Sequence, residues 1–382
     1  MRQKRQSIAE QKKRKAPAMV ESDDEVFEFS RNRESGSESD CVVQSVIKLD
    51  RSLLIDLSSL RIGSMISEGR LSVVHEGLYK SMPVAIKMIQ PNKTSAVSPD
   101  RKEKFQREVT ILSRVKHENI VKFIGASIEP TMMIITELMK GGTLQQYLWS
   151  IRPNSPDLKL SLSFALDISR VMEYLHANGI IHRDLKPSNL LLTEDKKQIK
   201  VCDFGLAREE TAGDMTTEAG TYRWMAPELF STVPLPRGAK IHYDHKVDVY
   251  SFAIILWELL TNRTPFKGVQ SILIAYAAAN NERPSVENIP QDIAPFLQSC
   301  WAEDPANRPE FMQITNFLVD FLQNLCSAQI TPAQTFEIEH PRSNVTADSA
   351  GSNHPISKVS GKMKARSPLP CFLRCFDDCL PD

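Results

Sequence analysis

From about Leu60 the chain carries short β-branched and apolar runs, and Ser72 to Tyr79, Val84 to Ile89 and Met132 to Thr136 have the length and composition of strands. One long helix interrupts them. Its Phe105, Val109, Leu112 and Val115 recur at three- to four-residue spacing, with charges on the opposite side. After Gly141 and Gly142 the period becomes helical, and Phe164, Ile168, Val171, Met172 and Leu175 form one apolar face. Val247 to Leu260 is apolar on nearly every side, which predicts a helix buried in the middle of its lobe. The pattern thus predicts an α+β chain: a small sheet with one helix, then a mainly helical lobe. No repeat of roughly 20 to 50 residues interrupts it.

Both ends lose this periodicity. Residues 1–55 mix a basic block with the serine-rich acidic stretches ESDDE and SRNRESGSESD, and they hold too few large apolar side chains to offset the entropy of ordering. Beyond about Asn324 the chain is rich in Ser, Pro and Asn. The expected organisation is a disordered tail over 1–55, a folded domain over 56–325 and a second tail over 326–382. The clusters Arg2/Lys4/Arg5 and Lys12 to Lys15 resemble a bipartite nuclear-import signal, although solvated disorder explains them equally well. Cys371, Cys375 and Cys379 would share one helix face downstream of Lys358, Lys362, Lys364 and Arg366. That is a context for palmitoylation and weak membrane association, or simply three unpaired thiols.

Composition narrows the setting. A core of about 270 residues would bury roughly three quarters of its unfolded surface, enough for two lobes. With 47 basic and 47 acidic residues, no overall field favours nucleic acid or a membrane surface. The seven cysteines, at 41, 202, 300, 326, 371, 375 and 379, have neither metal-ligand nor disulfide-dense spacing, as expected of a reducing compartment. The opening MRQKRQSIAEQKKRK lacks the apolar stretch of a signal peptide. The most apolar run, Phe252 to Leu260, is about half the length that spans a bilayer and contains Glu258. A cytoplasmic protein with no transmembrane segment is expected, with nuclear entry through the basic clusters as an addition.

Four strings stand in order: Val84-Ala85-Ile86-Lys87, His182-Arg183-Asp184-Leu185-Lys186-Pro187-Ser188-Asn189, Asp203-Phe204-Gly205 and Ala226-Pro227-Glu228. Phosphoryl transfer asks a protein for a lysine that neutralises phosphate charge, two metal ligands and a carboxylate that orients a hydroxyl. The strings supply that set. Each is weak alone, but their order is specific, with Asp184 to Asn189 five residues, Asn189 to Asp203 fourteen and Asp203 to Glu228 twenty-five. Together they resemble the protein-kinase signature set. The stretches GTYRWMAPE, DVYSFAIILWELLT and CWAEDPANRP resemble the tyrosine-kinase-like group, and within it the plant Raf-like mitogen-activated protein kinase kinase kinases, over roughly residues 60 to 322.

The resemblance implies a two-lobed kinase fold: a small antiparallel-sheet N-lobe with one helix over 56–136, a hinge at 137–140 and a mainly α C-lobe over 141–325. It also implies roles. Lys87 holds the α and β phosphates of ATP, and Glu108, which shares a helix side with Phe105 and Leu112, pairs with it; Glu103 and Glu118 are read as solvated helix charges. Asp184 accepts or orients the hydroxyl proton, Lys186 stabilises the transferring phosphoryl group, and Asn189 and Asp203 bind magnesium, or manganese in its place. Ile66, Val74, Ala85 and Leu191 sandwich adenine, Thr136 is the gatekeeper, and the backbones of Glu137 and Met139 pair with the base; each apolar member could also be ordinary core. Aligning back from Val74 leaves only Gly69 of the three loop glycines, with Ser67 and Ser72 at the others. If those serines are forced into a glycine-only conformation, about 1 to 3 kcal/mol of strain and weaker ATP clamping are expected.

Further along, Arg183 makes control by phosphorylation plausible, with Thr211, Thr216 and Thr217 as acceptors and Thr221 in a structural role. Glu228 pairs with Arg308, and Asp248 caps the catalytic loop. Lys186-Pro187-Ser188-Asn189 resembles serine/threonine kinases, so the expected activity is phosphorylation of protein serine and threonine in signalling, with downstream kinases among the substrates. Dual specificity and a pseudokinase scaffold stay open, as does the oligomeric state.

Overall fold

The computed structural model describes residues 26–27, 47, 49–69, 71–90, 97–209, 222–230 and 243–328. Five antiparallel strands form one sheet: β1 (Leu60–Glu68), β2 (Ser72–Tyr79), β3 (Met82–Ile89), β4 (Phe123–Ser127) and β5 (Met133–Glu137), in spatial order β1-β2-β3-β5-β4. Lys80 and Ser81 turn β2 into β3 with both residues at positive φ, the backbone that a two-residue hairpin requires. Helix α1 (Pro99–Arg114) follows β3. The Ser98 hydroxyl accepts from Arg101 N and Pro99 occupies its first turn, two devices that start a helix where the apolar period alone would not place it.

Alternation along β3 divides the sheet into two faces. Val84 and Ile86 join Met133 and Ile135 of β5 in a small buried cluster, whereas Ala85 and Lys87 point the other way. Strand β1 is exposed along nearly its whole length, so no alternation in the sequence could reveal it.

The second lobe is helical: α2 (Leu144–Ile151), α3 (Leu158–Ala177), α4 (Lys246–Thr261), α5 (Ser271–Ala279), α6 (Ala294–Cys300) and α7 (Phe311–Ala328). Every residue of α4 from Lys246 to Leu259 is buried, and α3 packs between α4 and α7 with Phe164, Ile168, Val171, Met172 and Leu175 fully covered. Short strands frame the loops that face the sheet: β6 (Ile180–Ile181) pairs with β9 (Arg208–Glu209), and β7 (Leu190–Leu192) with β8 (Ile199–Val201). Gly141 N donates to Leu192 O, and a Cβ at Gly141 would stand 2.2 Å from Thr193 O, so only glycine lets the connecting segment lie this close to β7.

The α+β architecture with an antiparallel sheet and a helical lobe is the one expected. Its N-terminal boundary is not. Leu49–Asp50 pairs with Val26–Phe27, and residues 49–55 pack against the sheet, inside the stretch that composition reads as a tail. Burial supplied by the folded domain offsets the ordering entropy that the segment could not offset alone. At the other end α7 continues to Ala328, past residue 325. The C-terminal cysteines and both N-terminal basic clusters lie outside the described residues. Among the described residues no helix is long and apolar enough to cross a membrane.

Candidate active site

Strand β3 presents Lys87 on the sheet face that carries Ala85, and α1 presents Glu108 with Phe105 and Leu112. The Lys87 ammonium donates to Glu108 Oε1 and Oε2 at 2.9 and 2.8 Å and to Asp203 Oδ1 at 3.0 Å. One cation thus joins the sheet, the helix and the Asp203-Phe204-Gly205 turn. Asp203 sits at φ 64° with Phe204 fully buried beneath it, and its Oδ1 also accepts from Gly205 N. Lost solvation works against the Asp203 charge, but Lys87 prevails and holds the carboxyl at about 2. Burial lifts Glu108 to about 7 despite Lys87, and it costs Lys87 solvation, yet the two carboxylates raise the lysine above its ordinary value. Of the two carboxylates, Asp203 keeps its charge and Glu108 is the first to give way as pH falls. Glu103 and Glu118 are exposed as expected, with Glu103 pairing Arg107 one turn along.

Asp184 lies on the other side of the same cleft. It is 6 % exposed, and Lys186 Nζ donates to its Oδ1 and Oδ2 at 2.9 and 2.7 Å. Burial raises the Asp184 carboxyl above its ordinary value while Lys186 pulls it down. Asn189 Nδ2 donates to the Asp184 carbonyl and to Oδ2 at 2.8 and 2.9 Å, which turns the Asn189 amide oxygen away from Asp184. Cys202 N donates to Asn189 O at 3.0 Å, so Asn189 and Asp203 are brought side by side. Among these groups, a cavity of about 90 Å³ is lined by Leu71, Ser72, Lys87, Glu108, Asp184 and Asp203.

The loop holding Asp184 hangs from α4. Asp248, with no exposed surface, accepts from His182 N and Arg183 N at 2.8 Å each and from His176 Nε2 at 2.9 Å. Burial pushes its carboxyl up, but His176 and these donors bring it below its ordinary value. His176 was not singled out from the sequence; it stands on the last turn of α3, where the apolar period carries no signal for it. Glu228 and Arg308 pair as expected, at 2.5 and 3.0 Å.

Val74 faces Lys87 across β2 and β3, Ala85 faces Thr136 across β3 and β5, and within the helical lobe Leu191 bridges to Thr143. Ile66, on β1, is 46 % exposed. The Glu137 carboxylate accepts from Lys122 N and Lys200 Nζ at 2.7 Å each, while its backbone N donates to Lys122 O at 3.0 Å, and Met139 packs partly buried against the core. The loop strain feared at Ser67 and Ser72 is absent: Ser67 pairs with Val74, Ser72 with Ile89, and neither has positive φ. Gly69 N donates to Ser72 O at 2.9 Å and closes the hairpin.

Two features escaped sequence reading. Trp224 Nε1 donates to Glu258 Oε2 at 3.2 Å, and burial raises Glu258 to about 7. Arg107, Arg183 and Arg208 converge; burial lowers the guanidinium pKa of Arg107 and Arg183, and the neighbouring arginines lower both further. The four threonines 211, 216, 217 and 221 lie outside the described residues.

Residues 60–318 match the family model described as protein tyrosine and serine/threonine kinase. The chain is similar to the serine/threonine/tyrosine-protein kinase HT1 of Arabidopsis thaliana, 40% identical over 322 residues that cover 81% of this chain and 79% of that protein. It is 39% identical over 278 residues to the serine/threonine-protein kinase STY17 of the same plant, covering 71% of this chain and 46% of the relative. It is 37% identical over 278 residues to the Arabidopsis serine/threonine-protein kinase VIK, covering 69% and 60%.

Proposed function

The chain belongs to the protein tyrosine and serine/threonine kinase family, and on that footing we propose that it transfers the γ-phosphoryl group of ATP to serine and threonine hydroxyls of proteins, as a Raf-like signalling kinase. The observation that carries this reading is the closed set Glu108–Lys87–Asp203 facing Asp184–Lys186 across one cleft. A scaffold without catalysis would have no need of it.

Lys87, held between two carboxylates, is placed to neutralise the α and β phosphates. Asp184 takes or orients the hydroxyl proton, and its raised pKa brings it closer to working pH, where a general base is most effective. Lys186, already on Asp184, meets the charge that develops on the transferred group. The donors fit a hard divalent cation: Asp203 is anionic, and the Asn189 amide oxygen is turned outward by the two bonds of its nitrogen. Magnesium bound there would neutralise phosphate charge.

The convergence of Arg107, Arg183 and Arg208 suits a phosphothreonine, with Thr211, Thr216 and Thr217 as acceptors. Similarity to HT1, a serine/threonine/tyrosine-protein kinase, favours a second reading, activity on tyrosine as well. A cytoplasmic site of action, with nuclear entry, belongs to the proposal.

The test is transfer of labelled γ-phosphate from Mg-ATP to the full chain and to a generic basic protein, compared with Asp184→Asn. Label on serine and threonine that falls by roughly 10²- to 10⁴-fold in the variant supports the reading. Mostly phosphotyrosine favours the second. Nucleotide binding with transfer no greater than in the variant would make the protein a scaffold.

A further inference from the structure

Strand β4 is the edge of the sheet, and an open edge pairs with whatever strand it meets. Here the segment before β1 covers it. Asp50 caps the turn Arg51–Leu53 and Asp56 caps the turn Leu57–Ser59, so two acidic side chains fold this strap locally. Between the turns Leu54 bridges to Ala126 in parallel, and Ile55 N donates to Ala126 O at 2.9 Å.

Side chains of the strap divide between the two faces of the sheet. Ile47 and Leu49, 9 % and 3 % exposed, and the partly buried Leu53 belong to the cluster that holds Phe105, Val109 and Leu112 of α1. Ile55, Leu57 and Leu60 pack instead on Val84, Ile86, Met133 and Ile135, behind the strand that carries Lys87. Strand β4 itself packs against α1. The strap therefore touches the strand that carries Lys87 and reaches α1, which carries Glu108, through β4.

Its seat is specific. A Cβ at Gly125 would stand 2.4 Å from Ile55 Cγ2 and 3.1 Å from Leu53 O, and the strap supplies its nearest neighbours. Alanine there pushes first against the strap.

We propose that residues 47–59 are a positioning element for Glu108: seated on β4, the strap holds α1 where the ion pair with Lys87 forms, and displaced, it lets α1 drift from the sheet. Only the rate measurement below rests on the phosphoryl-transfer reading.

Full-length Gly125→Ala, Ile55→Ala and the double variant are compared in kcat and in amide hydrogen exchange of α1 and α4. Gly125→Ala lowers kcat about tenfold and speeds exchange in α1 but not in α4. Ile55→Ala removes the colliding Cγ2, so the double variant outperforms Gly125→Ala alone. The proposal is overturned if Gly125→Ala leaves α1 exchange unchanged, if α4 loosens equally, or if Ile55→Ala gives no recovery. Should Gly125→Ala fail to fold, Leu49→Ala is read in the same way, with unchanged α1 exchange again decisive against it. If even the unaltered protein transfers no phosphate, exchange alone decides the strap while the function fails separately.

Discussion

Two ion pairs, one in each lobe, use similar chemistry to opposite ends. Arg308 in the helical lobe has no exposed side-chain surface, and its donors reach Glu228 twice, Ala302 O, Lys246 O and Glu303 O. Its guanidinium also lies over the Tyr250 ring, 5.3 Å from the centroid. Lys87 is 22 % exposed and divides one ammonium between Glu108 and an Asp203 that is 41 % exposed. The first site is saturated; the second holds more negative than positive charge and opens on a cleft. Saturation marks an anchor, whereas a charge imbalance facing solvent marks a place prepared for further cations and phosphate.

Removing each cation separates the two roles. Arg308→Ala leaves Glu228 uncompensated and is expected to lower stability by about 3–5 kcal/mol, read by chemical denaturation. Lys87→Met should leave the midpoint much closer to the unaltered protein while phosphate transfer falls by roughly 10²-fold or more, the scale of losing one preorganised charge. Equal loss of stability in both variants would erase the distinction.

A smaller effect comes from pH. Because the folded-state pKa of Glu108 is raised to about 7, its charge is lost as pH falls through that value, and its grip on Lys87 weakens. The rate should fall below about pH 7 in the unaltered protein and lose that limb in Glu108→Gln, which is slower throughout. Stability runs the other way. A raised carboxyl contributes fully below its unfolded value near 4.5, and the contribution is lost as pH rises through about 7. Asp203 opposes it, contributing above 3.8 and losing that only as pH falls through about 2. Rate and denaturation profiles across about pH 5 to 8 check both signs for Glu108, and denaturation below about pH 4 checks Asp203. Smallest of all, Ser67→Gly should lower stability by about 0.5–1 kcal/mol, since the serine pairs with Val74 without a positive φ. A stabilising Ser67→Gly would reinstate loop strain.

The paired groups of the cleft were legible because the chemistry writes them as short strings. Lys87, Asp184, Asn189 and Asp203 need fixed neighbours, and Glu108 follows from the helix side it shares with Phe105 and Leu112. The buried helix at Val247 to Leu260 was legible for a similarly local reason, a stretch apolar on nearly every side. The strap was not. Its apolar anchors, at 47, 49, 53, 55 and 57, keep the two-residue spacing of a strand, yet with the turn Arg51–Leu53 among them they divide between opposite faces of the sheet, so alternation alone does not place them. Arg107, Arg183 and Arg208 come from three separate segments, and only the fold brings them together.

The Asp248 tether bears on turnover. Its three bonds all end within the helical lobe, so opening of the sheet away from the helices breaks none of them. Under the proposed function, spent nucleotide would leave by hinge motion while Asp184 stays where the next acceptor hydroxyl would need it, and product release and base alignment would be separate steps in the cycle.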